Sequence, residues 1–142
     1  MVDLVDDTFV AAAPETVARA VADPARWSVW WPDLQLTTTR DRGAKGRQWA
    51  VQGALVGTAE IWLEPWWDGV LVHFYLRADP ASRLQSGEVD PVRAARLRRS
   101  RAQLWKREVH RLKDELEHGR RVGDPSRVPA VTPAEEPAKG EP

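Results

Sequence analysis

The sequence contains no cysteine, only three histidines, and no long run of apolar residues. Without cysteine the chain can form neither disulfides nor cysteine-ligated zinc sites, and thiol nucleophiles are excluded. No stretch approaches the roughly 20 apolar residues that a membrane-spanning helix needs. Residues 1–7 are acidic and lack the basic start and apolar core of a signal peptide. These absences predict a cytoplasmic protein with no integral membrane association.

The 142 residues carry no formal net charge, but the charges are unevenly distributed. Residues 93–121 contain eleven Lys or Arg against four Asp or Glu, whereas residues 1–92 contain eight against thirteen. The basic segment could attract an acidic partner, or it could be a solvated face beside its own acidic strands. Because the chain is neutral overall and basic and aromatic residues do not alternate on a strand, nucleic acid is not an expected partner.

Helix and strand signals follow one another in an order that predicts an α+β domain. Residues 4–12 are typical of a strand, and Pro and acidic residues then mark two short helices at 15–22 and 25–31. A long helix is predicted over about residues 92–118, and residues 119–142, rich in Pro and Glu, are predicted to be a disordered tail. Four further strands are predicted at residues 33–41, 47–53, 57–66 and 70–78.

The last two strands form a hairpin, for which Asp68-Gly69 is a strong two-residue turn signal. The register that follows from this turn gives one apolar face and one polar face, and it places Glu64 opposite His73. These two residues could form an acid–base pair or a plain cross-strand salt link. The preceding turn has no comparable signal, so the face that Trp49 occupies is not predicted.

The long helix has an apolar arc that also contains two charged residues, Arg101 and Glu108. A charge on a packed face is costly unless it is paired or hydrated. Either these side chains reach past the sheet edge to water, or they face a hydrated cavity and orient the polar end of a ligand. The apolar members of the arc are Ala94, Leu97, Leu104, Trp105, Val109, Leu112 and Leu116.

Eight tryptophans, beside one tyrosine and two phenylalanines, are unusual in a chain of this size. The densest group is Trp27, Trp30 and Trp31, which could plug a small core or rim an opening for an apolar molecule. No catalytic residue, metal ligand or cofactor is predicted, because the histidines are scattered and the common catalytic motifs are missing. The predicted ligand-binding residues are Trp27, Trp30, Trp31, Leu63, Phe74, Leu76, Arg101, Trp105 and Glu108.

Two segments resemble the beginning of the START-like (SRPBCC) superfamily, in particular its actinobacterial polyketide cyclase/dehydrase-type branch. They are residues 9–17, Phe-Val-Ala-Ala-Ala-Pro-Glu-Thr-Val, and residues 22–32, Ala-Asp-Pro-Ala-Arg-Trp-Ser-Val-Trp-Trp-Pro. The order of elements over residues 4–118 is similar as well. The resemblance implies a helix-grip fold, with a curved antiparallel sheet wrapped around the long C-terminal helix and a hydrophobic cavity beneath that helix.

Residues 1–118 would form this domain, with a sheet of about five strands rather than the usual seven. A shorter sheet implies a smaller cavity beneath the helix. This would not hold if residues 79–91 contained a further strand or if a second copy of the chain completed the sheet.

The resemblance and the tryptophan content predict that the chain binds or carries a small hydrophobic or aromatic ligand. One alternative is a polyketide cyclase/dehydratase-like enzyme, with Glu64, His73, Arg101 and Glu108 as candidate acid–base groups. A second alternative is an interaction protein that uses the basic C-terminal helix. The expected partners are a small hydrophobic molecule and, as a further option, a second copy of the chain in a homodimer.

Overall fold

The computed structural model describes residues 1–82 and 90–117. Every predicted strand and helix is present within these residues, with ends that differ by at most two positions. The predicted tail and the middle of the predicted 79–91 loop lie outside the described residues. The strands are β1 (Val2–Val10), β2 (Leu34–Asp41), β3 (Gly46–Gly53), β4 (Leu55–Trp66) and β5 (Gly69–Pro80). The helices are α1 (Pro14–Val21), α2 (Pro24–Trp30) and α3 (Pro91–Leu116), and a short 3₁₀ turn spans Gly43–Lys45.

All neighbouring strands are antiparallel, in the order β1-β5-β4-β3-β2. The sheet is curved, and α3 packs against its inner face through Trp105, Val109 and Leu112, which are at most 2% exposed. The predicted helix-grip fold, with five strands and two short helices after the first strand, is therefore confirmed.

The helices begin at proline because proline is preorganised for the first helical turn and needs no hydrogen-bond acceptor there. An aspartate precedes the proline in both α2 and α3 and caps the helix. Asp23 accepts a hydrogen bond from the backbone nitrogen of Ala25 at 3.0 Å, and Asp90 accepts one from that of Val92 at 3.1 Å. These local signals explain why the helix boundaries could be predicted closely.

The β4–β5 hairpin differs by two residues from the predicted register, which was wrong. Trp66 pairs with Gly69, so Trp67 and Asp68 form the loop. A side chain at Gly69 would clash with the backbone oxygen of Val10, so this glycine is required by the close approach of β1 rather than by the turn. Trp67 takes the left-handed conformation instead, with a φ of 53°.

A shift of two residues leaves every side chain on its predicted face, because side chains alternate with a period of two. The facing pairs change, however. His73 lies opposite Trp62, and Glu64 lies opposite Leu71. Trp49, for which no face was predicted, is fully buried on the inner face of β3.

Helix α3 also runs beside the free edge of β1, and its long side chains bond to the backbone of that strand and of the residue after it. These bonds occupy backbone groups that would otherwise be open to another strand. Arg98 Nε donates to the carbonyl of Asp3 at 3.2 Å, Lys113 Nζ donates to that of Phe9 at 2.9 Å, and Glu117 accepts from the nitrogen of Ala11 at 2.9 Å.

None of the helices in residues 1–82 and 90–117 combines the length and the apolar character that crossing a bilayer requires.

Candidate functional site

Three aromatic rings stack between α3 and the inner face of the sheet. Trp31 lies 5.6 Å from Phe74 and 5.7 Å from Trp105, with interplanar angles of 19° and 12°. The centroids of Phe74 and Trp105 are 4.4 Å apart. All three residues are at most 3% exposed. These rings therefore fill part of the space between α3 and the sheet, where a helix-grip fold would hold an interior ligand.

Trp30 and Trp49 contact this stack edge-on, a favoured geometry for aromatic pairs, and Trp27 contacts Trp49 in the same way. Trp30 lies 5.4 Å from Trp31 and 5.8 Å from Trp105. Trp49 lies 5.3 Å from Trp27 and 5.6 Å from Trp31. Trp30 and Trp31 thus belong to the core, and Trp27 packs against it from α2.

The indole N–H groups of these tryptophans differ in whether they have a hydrogen-bond acceptor. Trp27 Nε1 donates to the carbonyl of Val21 at 2.7 Å, and Trp105 Nε1 donates to Asp6 at 3.1 Å. Trp49 Nε1 is buried and has no hydrogen-bond acceptor among the described residues. An unpaired buried donor is costly, so this nitrogen would gain from an acceptor supplied by water or by a ligand.

Leu63 and Leu76, also predicted to contact the ligand, are buried on the inner face with exposures of 1% and 2%. Arg101 and Glu108 are both buried, at 7% and 6% exposed, as their position in the apolar arc predicts. They do not form one polar site. Arg101 pairs with Asp33, and Glu108 lies two turns further along α3, at an axial distance of about 10 Å.

A groove of about 310 Å³ opens between α2 and α3, and Glu108 lines it. Its floor is apolar, with Trp30 and Leu112 buried at 3% and 2% exposed, and with Val29 at its exposed side. Its volume lies at the lower end of the range for small-molecule sites, roughly 300–1,000 Å³. The full lining is Asp23, Ala25, Arg26, Val29, Trp30, Glu108, Arg111, Leu112 and Glu115.

The rim of the groove is closed at one point by an ion pair between the two helices. Arg26 donates to both carboxylate oxygens of Glu115, at 3.1 and 2.7 Å. This hydrogen bonding raises the pKa of Arg26 above its ordinary value. The pair links α2 to α3 at the exposed side of the groove.

Within the described part of the chain, Glu108 has only long contacts to cations. Arg111 Nη1 lies 3.5 Å from its carboxylate and Arg107 Nε lies 4.0 Å away. Both arginine side chains are 65% exposed, so their charges lie largely in water. Glu108 is thus a buried carboxylate that faces a groove without a short salt bridge.

The other candidate acid–base pair lies on the opposite face of the sheet. His73 Nε2 lies 2.9 Å from Glu64 and His73 Nδ1 lies 2.6 Å from Asp7, and the ring stacks on Trp62 at 4.5 Å. Both ring nitrogens are therefore engaged within the protein. His110 is exposed on α3, and His118 lies outside the described residues.

Among residues 1–82 and 90–117 there is no group of three or more side chains suited to hold a metal ion. A depression of about 350 Å³ on the outer face of the sheet is slightly larger than the groove, and most of its lining residues have polar or charged side chains. It is lined by Thr39, Gln48, Trp49, Thr58, Ala59, Glu60, Tyr75 and Arg77. The groove between α2 and α3 is the better candidate for an apolar ligand, because its floor is apolar and it adjoins the aromatic cluster.

No protein-family model matches the chain, and no curated protein sequence matches it significantly. Solved structures do match. The Aha1 dimer from Colwellia psychrerythraea has a TM-score of 0.59 and 18% identity over 85% of this chain and 100% of that one. DR_A0006 from Deinococcus radiodurans has a TM-score of 0.60 and 14% identity over 83% of this chain and 99% of that one.

A third similar structure is StfQ, a di-domain aromatase/cyclase (ARO/CYC) from the steffimycin biosynthetic pathway. The TM-score is 0.52 and the identity is 19%, over 82% of this chain and 51% of StfQ. This chain therefore spans about half the length of StfQ. Together the three structures show that the chain has a helix-grip fold.

Several residues of the groove and the cluster were missed by the sequence analysis. Asp33 and Glu115 carried no local signal, since their partners Arg101 and Arg26 are 68 and 89 residues away in the chain. Leu112 was recognised only as a member of the apolar arc. Asp6 could have been noticed, because it is a charged residue at an inner-face position of β1, where it pairs with Lys106 at 2.7 Å.

Proposed function

We propose that the chain binds a small apolar or aromatic molecule in the groove between α2 and α3. The observation that carries this proposal is the apolar floor of the groove, formed by Trp30 and Leu112 above the aromatic cluster. Small-molecule sites combine such an apolar floor with a few placed polar groups, here Arg26, Glu108 and Glu115. A place in the polyketide cyclase/dehydrase-type branch would be consistent with this function.

The sequence predicted a ligand beneath α3, where Trp31, Phe74 and Trp105 pack against one another. We therefore place the ligand in the α2–α3 groove, on the solvent side of these rings and in contact with Trp30. Deeper entry would require Trp30 to leave its edge-on contacts with Trp31 and Trp105. The alternative of a cyclase-type enzyme is less well supported, because Glu64 and His73 lie outside this groove and bond to each other.

The test uses an uncharged aromatic probe, 1-naphthalenemethanol, titrated into the full chain by isothermal calorimetry. We expect saturable binding and a higher melting temperature, because a ligand that binds only the folded state stabilises it. The variant Val29→Asp places a charge at the exposed side of the groove and should weaken binding at least about tenfold. Val92→Asp is the matched control, since Val92 is also an exposed helical valine, at 63% against 57% for Val29.

Binding that is equal in Val29→Asp and in the wild type would place the probe elsewhere and overturn the proposal. The same conclusion follows if apolar aromatic probes of one to three rings give no saturable binding at millimolar concentration.

We also propose that a second copy of the chain pairs with the edge of β2. The two edges of the sheet differ: side chains of α3 bond to the backbone of β1, whereas no strand pairs with the outer edge of β2 among the described residues. A bulge between Thr38 and Arg40 limits the regular edge to residues 34–38. A two-fold axis at Leu36 would continue the sheet and keep the inner faces of both copies on the same side.

A further inference from the structure

We propose that the ligand of the α2–α3 groove carries a positively charged nitrogen, and that Glu108 is the group that binds it. This inference rests on the proposed function and adds the chemical class of the ligand: an aromatic or apolar molecule with an ammonium group.

Glu108 stands out among the carboxylates of the described ion pairs. Its residue is 6% exposed, yet its cation contacts are 3.5 and 4.0 Å long. Charge-assisted hydrogen bonds are usually about 2.7–2.9 Å long. The pairs of Glu115 with Arg26 and of Glu117 with Lys113 reach 2.7 Å. The Glu108 carboxylate is thus desolvated without the short partner that normally offsets this cost.

The groove offers an ammonium group a place to form that short bond. Glu108 lines the groove beside Trp30, and an ammonium over the face of an indole ring is further stabilised by cation–π attraction. The guanidinium of Arg26 already donates to both oxygens of Glu115, so it is not available to a ligand carboxylate without breaking that pair.

Arg111 is the other cation in the lining, and its side chain is 65% exposed. Its charge is screened by water, whereas the charge of Glu108 acts in a desolvated environment where electrostatic interactions are stronger. The charges that line the groove therefore favour a cationic ligand over a neutral or anionic one of the same shape.

Three probes with one aromatic ring system test this inference: 1-naphthylmethylammonium, 1-naphthalenemethanol and 1-naphthoate. We expect the ammonium to bind at least about tenfold more tightly than the alcohol, and the carboxylate more weakly than either. Glu108→Gln should abolish the preference for the ammonium over the alcohol. Asp114→Asn is the matched control, because Asp114 is an exposed carboxylate on the same helix outside the groove, and it should retain the preference.

Salt dependence gives a second measurement that requires no variant. A contact with buried Glu108 should keep the ammonium preference at about 0.5 M NaCl, whereas attraction by the exposed rim charges would be screened. If none of the three probes binds, the proposed function fails. If the alcohol or the carboxylate binds as tightly as the ammonium, or if Glu108→Gln keeps the preference, the groove still binds aromatics and only the present inference is overturned.

Discussion

The guanidinium of Arg101 and the carboxylate of Asp33 form two side-by-side hydrogen bonds, one of them 2.9 Å long, that join α3 to the segment before β2. Arg101 is buried at 7% side-chain exposure, whereas the Asp33 side chain is 51% exposed. The backbone carbonyl of Asp33 is fixed independently, because it accepts a hydrogen bond from the nitrogen of Ala54 at 3.1 Å. Gly53 allows this approach, since a Cβ there would lie 2.6 Å from the same carbonyl oxygen.

Asp33→Asn should lower the free energy of unfolding by about 1–3 kcal/mol, because it leaves the buried guanidinium without a charged partner. The cost is below that of a fully buried pair, because Asp33 is half exposed. Urea denaturation measures this change. The double variant Asp33→Asn, Arg101→Met should recover most of the loss, since methionine keeps much of the apolar stem and removes the unpaired charge. Equal stability of the wild type and Asp33→Asn would contradict this account.

His73 joins three strands through its side chain. Its ring nitrogens bond to Asp7 of β1 and Glu64 of β4, and its ring stacks on Trp62. His73 therefore links β1, β5 and β4 on the outer face, and we call this link the His73 clasp. It agrees with the interpretation of Glu64 and His73 as a cross-strand salt link.

His73→Phe keeps an aromatic ring for the stacking on Trp62 but removes both hydrogen bonds. Glu64, which is 7% exposed, would then lose its partner, and we expect a loss of stability of about 1–3 kcal/mol. Thermal and urea unfolding of the variant measure the loss. The control is His73→Phe combined with Glu64→Leu, which removes the unpaired carboxylate and should regain most of the stability. Wild-type stability in the single variant would show that the clasp contributes nothing.

The fold could be predicted from the sequence because its signals are local. Asp-Pro pairs mark the starts of two helices, and alternating apolar residues mark the strands. The hairpin register could not be predicted, because Gly69 serves the packing of β1, some 60 residues away, rather than the turn. In the sequence, a glycine required by a turn looks the same as a glycine required by close packing of another strand.

The candidate site was predicted only in part for the same reason. The burial of Arg101 and Glu108 follows from their position on α3, but their partners depend on how distant segments meet. The tryptophans at 30 and 31 were recognised as a cluster. The stacking of Trp31 on Phe74 and Trp105, and the edge-on contact of Trp30 with Trp105, are properties of the packed core that no spacing in the sequence encodes.

Tyr75 offers a direct test of the electrostatics of the outer face, since it is the only tyrosine in the chain. Burial, followed by the negative charges of Asp7, Glu60 and Glu64, raises the pKa of Tyr75 above the ordinary 10.0. Between the unfolded and folded pKa values the folded state binds the extra proton. The stability of the fold should therefore decrease as the pH rises above about 10.

The phenolate absorbance of the folded chain should titrate at higher pH than that of the urea-denatured chain, which should follow the reference value of about 10. The variant Glu60→Gln should move the folded titration towards the denatured one, because it removes one of the charges that oppose ionisation. Coincident titration curves for the folded and denatured chains would contradict the predicted direction.

The proposed dimer can be tested with a single cysteine, because the natural chain has none. A two-fold axis at Leu36 places the two Leu36 residues opposite each other, with Cα atoms about 4.5–5.5 Å apart. This distance lies within the range that a disulfide spans. Leu36→Cys should therefore form a covalent dimer under mild oxidation, detected by non-reducing electrophoresis.

Val5→Cys is the matched control, because Val5 is exposed at 61% but lies on β1, at the other edge of the sheet. It should remain monomeric on the gel at the same protein concentration. Sedimentation of the unmodified chain should show a concentration-dependent dimer, and Leu36→Pro should shift it towards monomer, since proline cannot donate a hydrogen bond at a strand edge. A monomer at all concentrations, together with equal cross-linking at positions 5 and 36, would show that the edge of β2 is not an interface between copies.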